Sequence, residues 1–89
     1  MKIKEDFVLR QVADTWVVLP LGQTSVDFDG MLTLIESGVL LWRALEHGAE
    51  RQDLAQALTA EYEVSDQQAL ADVDEFLALL RKAGCLAQQ

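Results

Sequence analysis

Met31-Leu32-Thr33-Leu34-Ile35-Glu36-Ser37-Gly38-Val39-Leu40-Leu41-Trp42-Arg43-Ala44-Leu45 is the stretch in which the hydrophobic period of this chain changes. Met31 to Ile35 is a short apolar run, of strand length and too brief for a helix. From Glu36 the period becomes 3.6: Leu41, Trp42 and Leu45 share one helical face, with Ser37 as the expected N-cap and Gly48 as the expected stop. Sheet therefore gives way to helix at this point.

Upstream, Phe7 to Val12 and Thr15 to Pro20 are two β-rich runs joined by Ala13-Asp14, the pattern of a hairpin. Pro20 cannot donate to a ladder, so the second strand should end there. Leu21 to Gly30 reads as a loop pinned by Val26 and Phe28. Met31 to Ile35 then completes a three-stranded sheet. Downstream, a second helix is expected from about Glu50 to Tyr62, with Leu54, Ala57, Leu58 and Tyr62 as its apolar stripe. Ser65, with Gln68 in capping-box position, should open a third helix that runs to about Ala83. Leu70, Val73, Phe76, Leu77 and Leu80 form its apolar face. Arg81 and Lys82 suit the negative helix end, and Gly84 terminates it. Cys85-Leu86-Ala87 has the composition of a short last strand. The expected class is α+β, in the order strand-strand-strand, helix-helix-helix.

The 89 residues are one domain's worth of chain, with a modest core and little stability to spare. An apolar fraction of 51% argues against disorder. No apolar run reaches the length of a membrane span, and the charged opening Met1-Lys2-Ile3-Lys4-Glu5-Asp6 lacks a signal-peptide apolar region, so a cytoplasmic location is expected. The formal charge of -8, from 15 acidic and 7 basic residues, opposes binding to nucleic acid or to an anionic membrane surface.

Chemistry is sparse. The single Cys85 can form neither an internal disulfide nor a cysteine metal cluster, and reads as a small packed group. The single His47, beside Glu46 near a helix end, has no catalytic partner in view. Asp27 and Asp29 resemble a cation-binding pair, but nothing after them completes an EF-hand, and turn capping explains them better. Asp72 and Glu75 are helical neighbours on a solvated or partner-facing flank, and Trp16 and Trp42 read as core. No phosphate loop, metalloprotease motif or nucleophile triad stands out. No enzyme, metal or cofactor is expected. What remains is a binding module, in which an uncovered sheet edge would serve an extended peptide.

The ordered set Phe7-Val8-Leu9-Arg10, Val17-Val18-Leu19-Pro20, Val26-Asp27-Phe28-Asp29-Gly30-Met31-Leu32-Thr33-Leu34, Glu36-Ser37-Gly38 and Leu41-Trp42 resembles the PqqD family, the RiPP recognition elements. So does the tail, Glu61-Tyr62-Glu63-Val64, Asp72-Val73, Phe76-Leu77, Leu80 and Gly84. The likeness runs from about Met1 to Leu86. Ile35 departs from it, since a polar residue, usually Asn, is expected there.

The resemblance implies a winged helix-turn-helix architecture whose third helix packs across the three-stranded antiparallel sheet. It implies a non-catalytic protein that binds the leader of a ribosomally made precursor peptide as an added strand. Such a protein delivers the leader to a modifying enzyme, often a radical-SAM protein. By position, Leu32, Thr33, Leu34 and Ile35 would supply the strand edge, and Leu70, Val73, Asp74, Leu77 and Arg81 would line or rim the groove. Two alternatives stand beside it. A winged-helix DNA-binding regulator would need a basic recognition helix, where this chain has Asp66, Asp72, Asp74 and Glu75. A self-association domain, pairing two copies as a homodimer through the free edge, would use the same strand.

Overall fold

The computed structural model describes residues 1–22 and 32–87. Its elements are β1 (Phe7–Val12), β2 (Thr15–Pro20), β3 (Leu32–Leu34), α1 (Glu36–Glu46), α2 (Arg51–Glu61) and α3 (Asp66–Ala83). The expected loop pins Val26 and Phe28, the Asp27 and Asp29 pair, and Met31 lie outside the described residues.

The strands form one antiparallel sheet in the order β1-β2-β3. Ala13, at φ 55°, opens the two-residue turn between β1 and β2, and the flanking Val12 and Thr15 face each other. A two-residue turn makes that flanking pair exchange hydrogen bonds, and the pairing then alternates along the ladder. The Leu21 N–H donates to the Asp6 carbonyl at 2.7 Å, which keeps the same phase at the far end. Thr15, Val17 and Leu19 therefore bond toward β1, while Trp16 and Val18 bond toward β3. Trp16 faces Leu34 and Val18 faces Leu32. Leu32 and Leu34 thus bond back to β2, and the N–H and C=O of Thr33 point outward along the edge of β3, which no other strand covers among the described residues.

One face of the sheet meets the helices, although Val17 on the opposite face of β2 is buried as well. Phe7, Val18 and Leu34 enter the helical core, with Leu9, Leu32 and Trp16 packed partly against it. The Arg43 guanidinium lies 5.3 Å from the centre of the Trp16 ring, so this Trp is half-buried under a cation. Trp42 is fully buried, beside Leu41 and Leu45 of α1. Leu54, Ala55 and Leu58 of α2 and Ala69, Val73, Leu77 and Leu80 of α3 complete the core. Tyr62, expected on the α2 stripe, instead caps the helix in an extended conformation and is exposed.

Helix α3 starts as its sequence predicts: the Ser65 hydroxyl accepts from the Gln68 N–H at 3.1 Å. The Gln68 side chain does not complete the box, because its amide donates to Asp72 at 2.8 Å one turn later. The helix ends at Gly84, whose φ of 75° suits a residue without Cβ. Cys85 then donates back to the Leu80 carbonyl at 2.9 Å.

Helix α1 corrects its predicted start. It begins at Glu36, so Ser37 lies inside the first turn and Ile35 takes the N-cap position, with no side-chain cap. An N-cap Ile has no oxygen to offer the free amides, which a Ser, Asn or Asp would satisfy.

The expected last strand is a single bridge between Leu86 and Ile3. Lys4 donates to Cys85 and Ala87 donates to Lys2, both at 2.9 Å, and Ile3 also donates to Leu45 at 3.1 Å. The N-terminal residues thereby tie the end of α3 to the end of α1. Cys85 is buried beneath this seam, and burial pushes its thiol up to about 11, against a smaller opposite pull from Lys4. Such a thiol stays protonated and packs as an apolar group. No helix among the described residues is long and apolar enough to cross a membrane.

Candidate functional site

Helix α3 has three faces, and their angular positions decide the site. At about 100° per residue, Ala69, Leu77 and Leu80 fall within about 40° of Val73 and make the core arc. Phe76, Ala83, Asp72 and Leu79 lie about 60–120° to one side, with Glu75 and Lys82 beyond them. Leu70, Arg81 and Asp74 lie about 60–100° to the other side.

The sheet edge meets the first flank. A groove of ≈ 690 Å³ runs between Thr33, Leu34 and Ile35 at the end of β3 and Asp72, Glu75, Phe76, Leu79 and Lys82 of α3. Gly38 and Leu41 of α1 and Leu58 of α2 form its floor. Gly38 makes that fit close: a Cβ there would stand 3.3 Å from Cε1 of Phe76 and 3.4 Å from Cβ of Leu34, so the Phe76 ring would have to give by a few tenths of an ångström.

Thr33, Leu34 and Ile35 are thus where the strand positions place them, on the groove wall, and Ile35 is 78% exposed. Leu32 is half-buried against the core and does not line the groove.

The helical positions lie away from this groove. Val73 and Leu77 are buried in the core, on the arc of α3 that also carries Ala69 and Leu80. Leu70 packs partly against that core. Asp74 faces α2, where its two oxygens accept from Nε and Nη2 of Arg51 at 2.6 and 2.8 Å. The hydrogen bonds from Arg51 hold the Asp74 carboxyl below its ordinary range, helped by the charges of Arg51 and Arg81. Arg81 points to the N-terminal seam, with Nη2 3.7 Å from the Met1 sulfur. None of these five lines the groove.

The α3 residues that do line the groove include Asp72, Glu75, Phe76, Leu79 and Lys82, which were not among the site residues expected from the sequence. One signal was present. The apolar positions of α3 span too wide an arc for a single core stripe, and Leu79 falls outside it. Leu79 is 42% exposed, an apolar side chain held in an open groove.

Chemically the groove offers an apolar trough beside a stretch of strand backbone that is unpaired among the described residues. Thr33 supplies one donor and one acceptor for an extended chain, and Leu34, Ile35, Phe76 and Leu79 supply the apolar contact. Among the described residues no group of His, Cys, Asp and Glu could hold a metal ion.

Solved structures share this build. One, described as TbiB1 in complex with the TbiA(beta) leader peptide, superposes with a TM-score of 0.80 at 29% identity, covering 100% of this chain and 98% of that one. Another, lasso peptide synthetase B1 complexed with the leader peptide, gives a TM-score of 0.77 at 24% identity, covering 98% and 96%. No curated protein matches the sequence. The family model for coenzyme PQQ synthesis protein D (PqqD) matches residues 15–86, from the start of β2 to the bridge that closes the C-terminal seam, and this chain belongs to the PqqD family.

Proposed function

We propose that this protein binds the leader segment of a ribosomally made precursor peptide and presents it to a modifying enzyme in the cytoplasm. The carrying observation is the groove itself, in which the open edge of β3 faces an apolar flank of α3. The 29%-identical neighbour, covered over nearly its whole length, was solved with a leader peptide bound, which supports the same use here. The leader adds as a fourth strand along Thr33, and its apolar side chains sit between Ile35, Phe76 and Leu79. The protein acts by binding alone. Holding the leader near the enzyme raises the effective concentration of the segment to be modified.

The test is a titration of the isotopically labelled protein with leader peptides from short reading frames beside its own gene. Amide shifts are expected to concentrate in residues 32–35 and around Phe76 and Leu79. Shifts confined to residues 10–15 of the first hairpin would overturn the reading.

Ile35→Asn gives a second test, in which two readouts move in opposite directions. Asn at the N-cap should stabilise the fold by about 0.5–1 kcal/mol. Little burial is lost, since Ile35 is 78% exposed. The same change removes an apolar contact from the groove wall, so the leader should bind several-fold more weakly. A urea melt and a titration on one preparation measure both effects.

A further inference from the structure

The groove is apolar along its middle and charged at its two ends, with opposite signs. Asp72 and Glu75 stand toward the N-terminal end of the α3 flank and Lys82 toward its C-terminal end, with Phe76 and Leu79 between them. Asp72 is held in place by the Gln68 amide at 2.8 Å. Among the described residues, neither Glu75 nor Lys82 takes part in an ion pair within the chain. The other acidic residue on this helix with a clear ionic partner, Asp74, is turned away and satisfied by Arg51. The charges at the groove ends are therefore available to a ligand.

Resting on the leader-binding reading, we infer that the groove selects a peptide by charge order, with a basic side chain toward one end, an apolar anchor in the middle and an acidic side chain toward the other along one face of an extended strand. The spacing follows from geometry. Glu75 and Lys82 are seven residues apart and Asp72 and Lys82 ten, which at 1.5 Å per residue is about 10–15 Å along the helix. An extended chain covers that distance in about three to five residues. Side chains on one face recur every second residue, so the spacing that fits is four, with the apolar anchor midway. The basic side chain then meets Asp72 and Glu75, the anchor meets Phe76 and Leu79, and the acidic side chain meets Lys82. Because an added strand has a fixed direction, the groove reads one order of charges and rejects its reverse.

The probes are three capped 11-residue peptides with the central patterns Lys-Thr-Leu-Thr-Glu, Glu-Thr-Leu-Thr-Lys and Gln-Thr-Leu-Thr-Gln, each followed by fluorescence anisotropy. Wild-type protein should prefer one charged order over the other by about five- to tenfold at roughly 0.05 M salt. That preference should fade at roughly 0.5 M salt, where exposed charges are screened. The exchanged variant Asp72→Lys, Glu75→Lys, Lys82→Glu should invert the preference. Its far-UV circular dichroism should match the wild type, since all three positions lie outside the core, and its melting should fall only slightly, through loss of the Gln68–Asp72 hydrogen bond and of Lys82 at the helix end. Equal affinity for both charged orders, or a preference unmoved by the exchange, overturns the charge-order inference and leaves leader binding intact if the neutral peptide binds. Failure of all three peptides, together with failure of the gene-neighbour leaders, overturns both.

Discussion

Leu77→Ala should lower the unfolding free energy by about 2–5 kcal/mol, because it removes a buried side chain from a core that cannot close over the gap. Leu77 is only 3% exposed and sits in the cluster that joins the sheet to α1 and α2. A chain of 89 residues has little stability in reserve, so the loss is a large share of the whole. Two residues along, Leu79→Ala should behave in the opposite way. Leu79 is 42% exposed on the groove flank, so its truncation should leave the melt nearly unchanged and weaken leader binding several-fold. Chemical denaturation and peptide titration on both variants separate the two. A large stability loss in Leu79→Ala with normal binding would mean that the core and groove arcs of α3 have been exchanged.

Thr33→Pro should weaken leader binding by at least about tenfold while the helices persist. The alternation of ladder bonds turns the Thr33 amide to the open edge, so proline removes a donor that serves the ligand and none that serves β2. Its ring would also occupy the space where the added strand must approach. Proline's fixed φ of about −65° strains a three-residue strand, which adds some loss of stability. Thr33→Ala keeps the N–H and should bind nearly as the wild type does, which isolates the backbone effect. Leu34→Pro, by contrast, should damage the sheet itself, since Leu34 bonds back to Trp16. Far-UV circular dichroism and a titration on the three variants test this order. Full binding by Thr33→Pro would move the leader to another edge.

The two experiments probe different kinds of information. The third strand was legible in the sequence as a short apolar run before a helix signal, whereas Leu32, Thr33, Leu34 and Ile35 as a peptide-bearing edge came only from the resemblance to the PqqD family. The hairpin, the Ser65 cap and the Gly84 stop were legible for a similar reason. Each depends on residues within about four positions of one another, and the backbone chemistry is local. The change of period at Glu36 likewise decided the order of sheet and helices without any knowledge of their packing.

The helical wall of the site was not legible, and the reason is rotational. Leu70, Val73, Phe76, Leu77, Leu79 and Leu80 show that α3 is apolar over a wide arc, but periodicity does not say which part of that arc meets the core. The expected wall was Leu70, Val73, Asp74, Leu77 and Arg81, but Val73 and Leu77 face the core, and the other three lie on the flank opposite the sheet edge. Rotation of the helix about its axis is set by contacts distant in the chain. The Arg51 clasp on Asp74 ties one flank to α2, and the fit of Phe76 over Gly38 places the other beside β3. The N-cap of α1 shows the same limit on a smaller scale. Ser37 has the better capping side chain, but the helix starts at Glu36, and Ile35, at the junction with β3, takes the cap position. Local propensity determined which elements form and in what order. Tertiary packing determined how α3 is turned, and with it which residues face the groove.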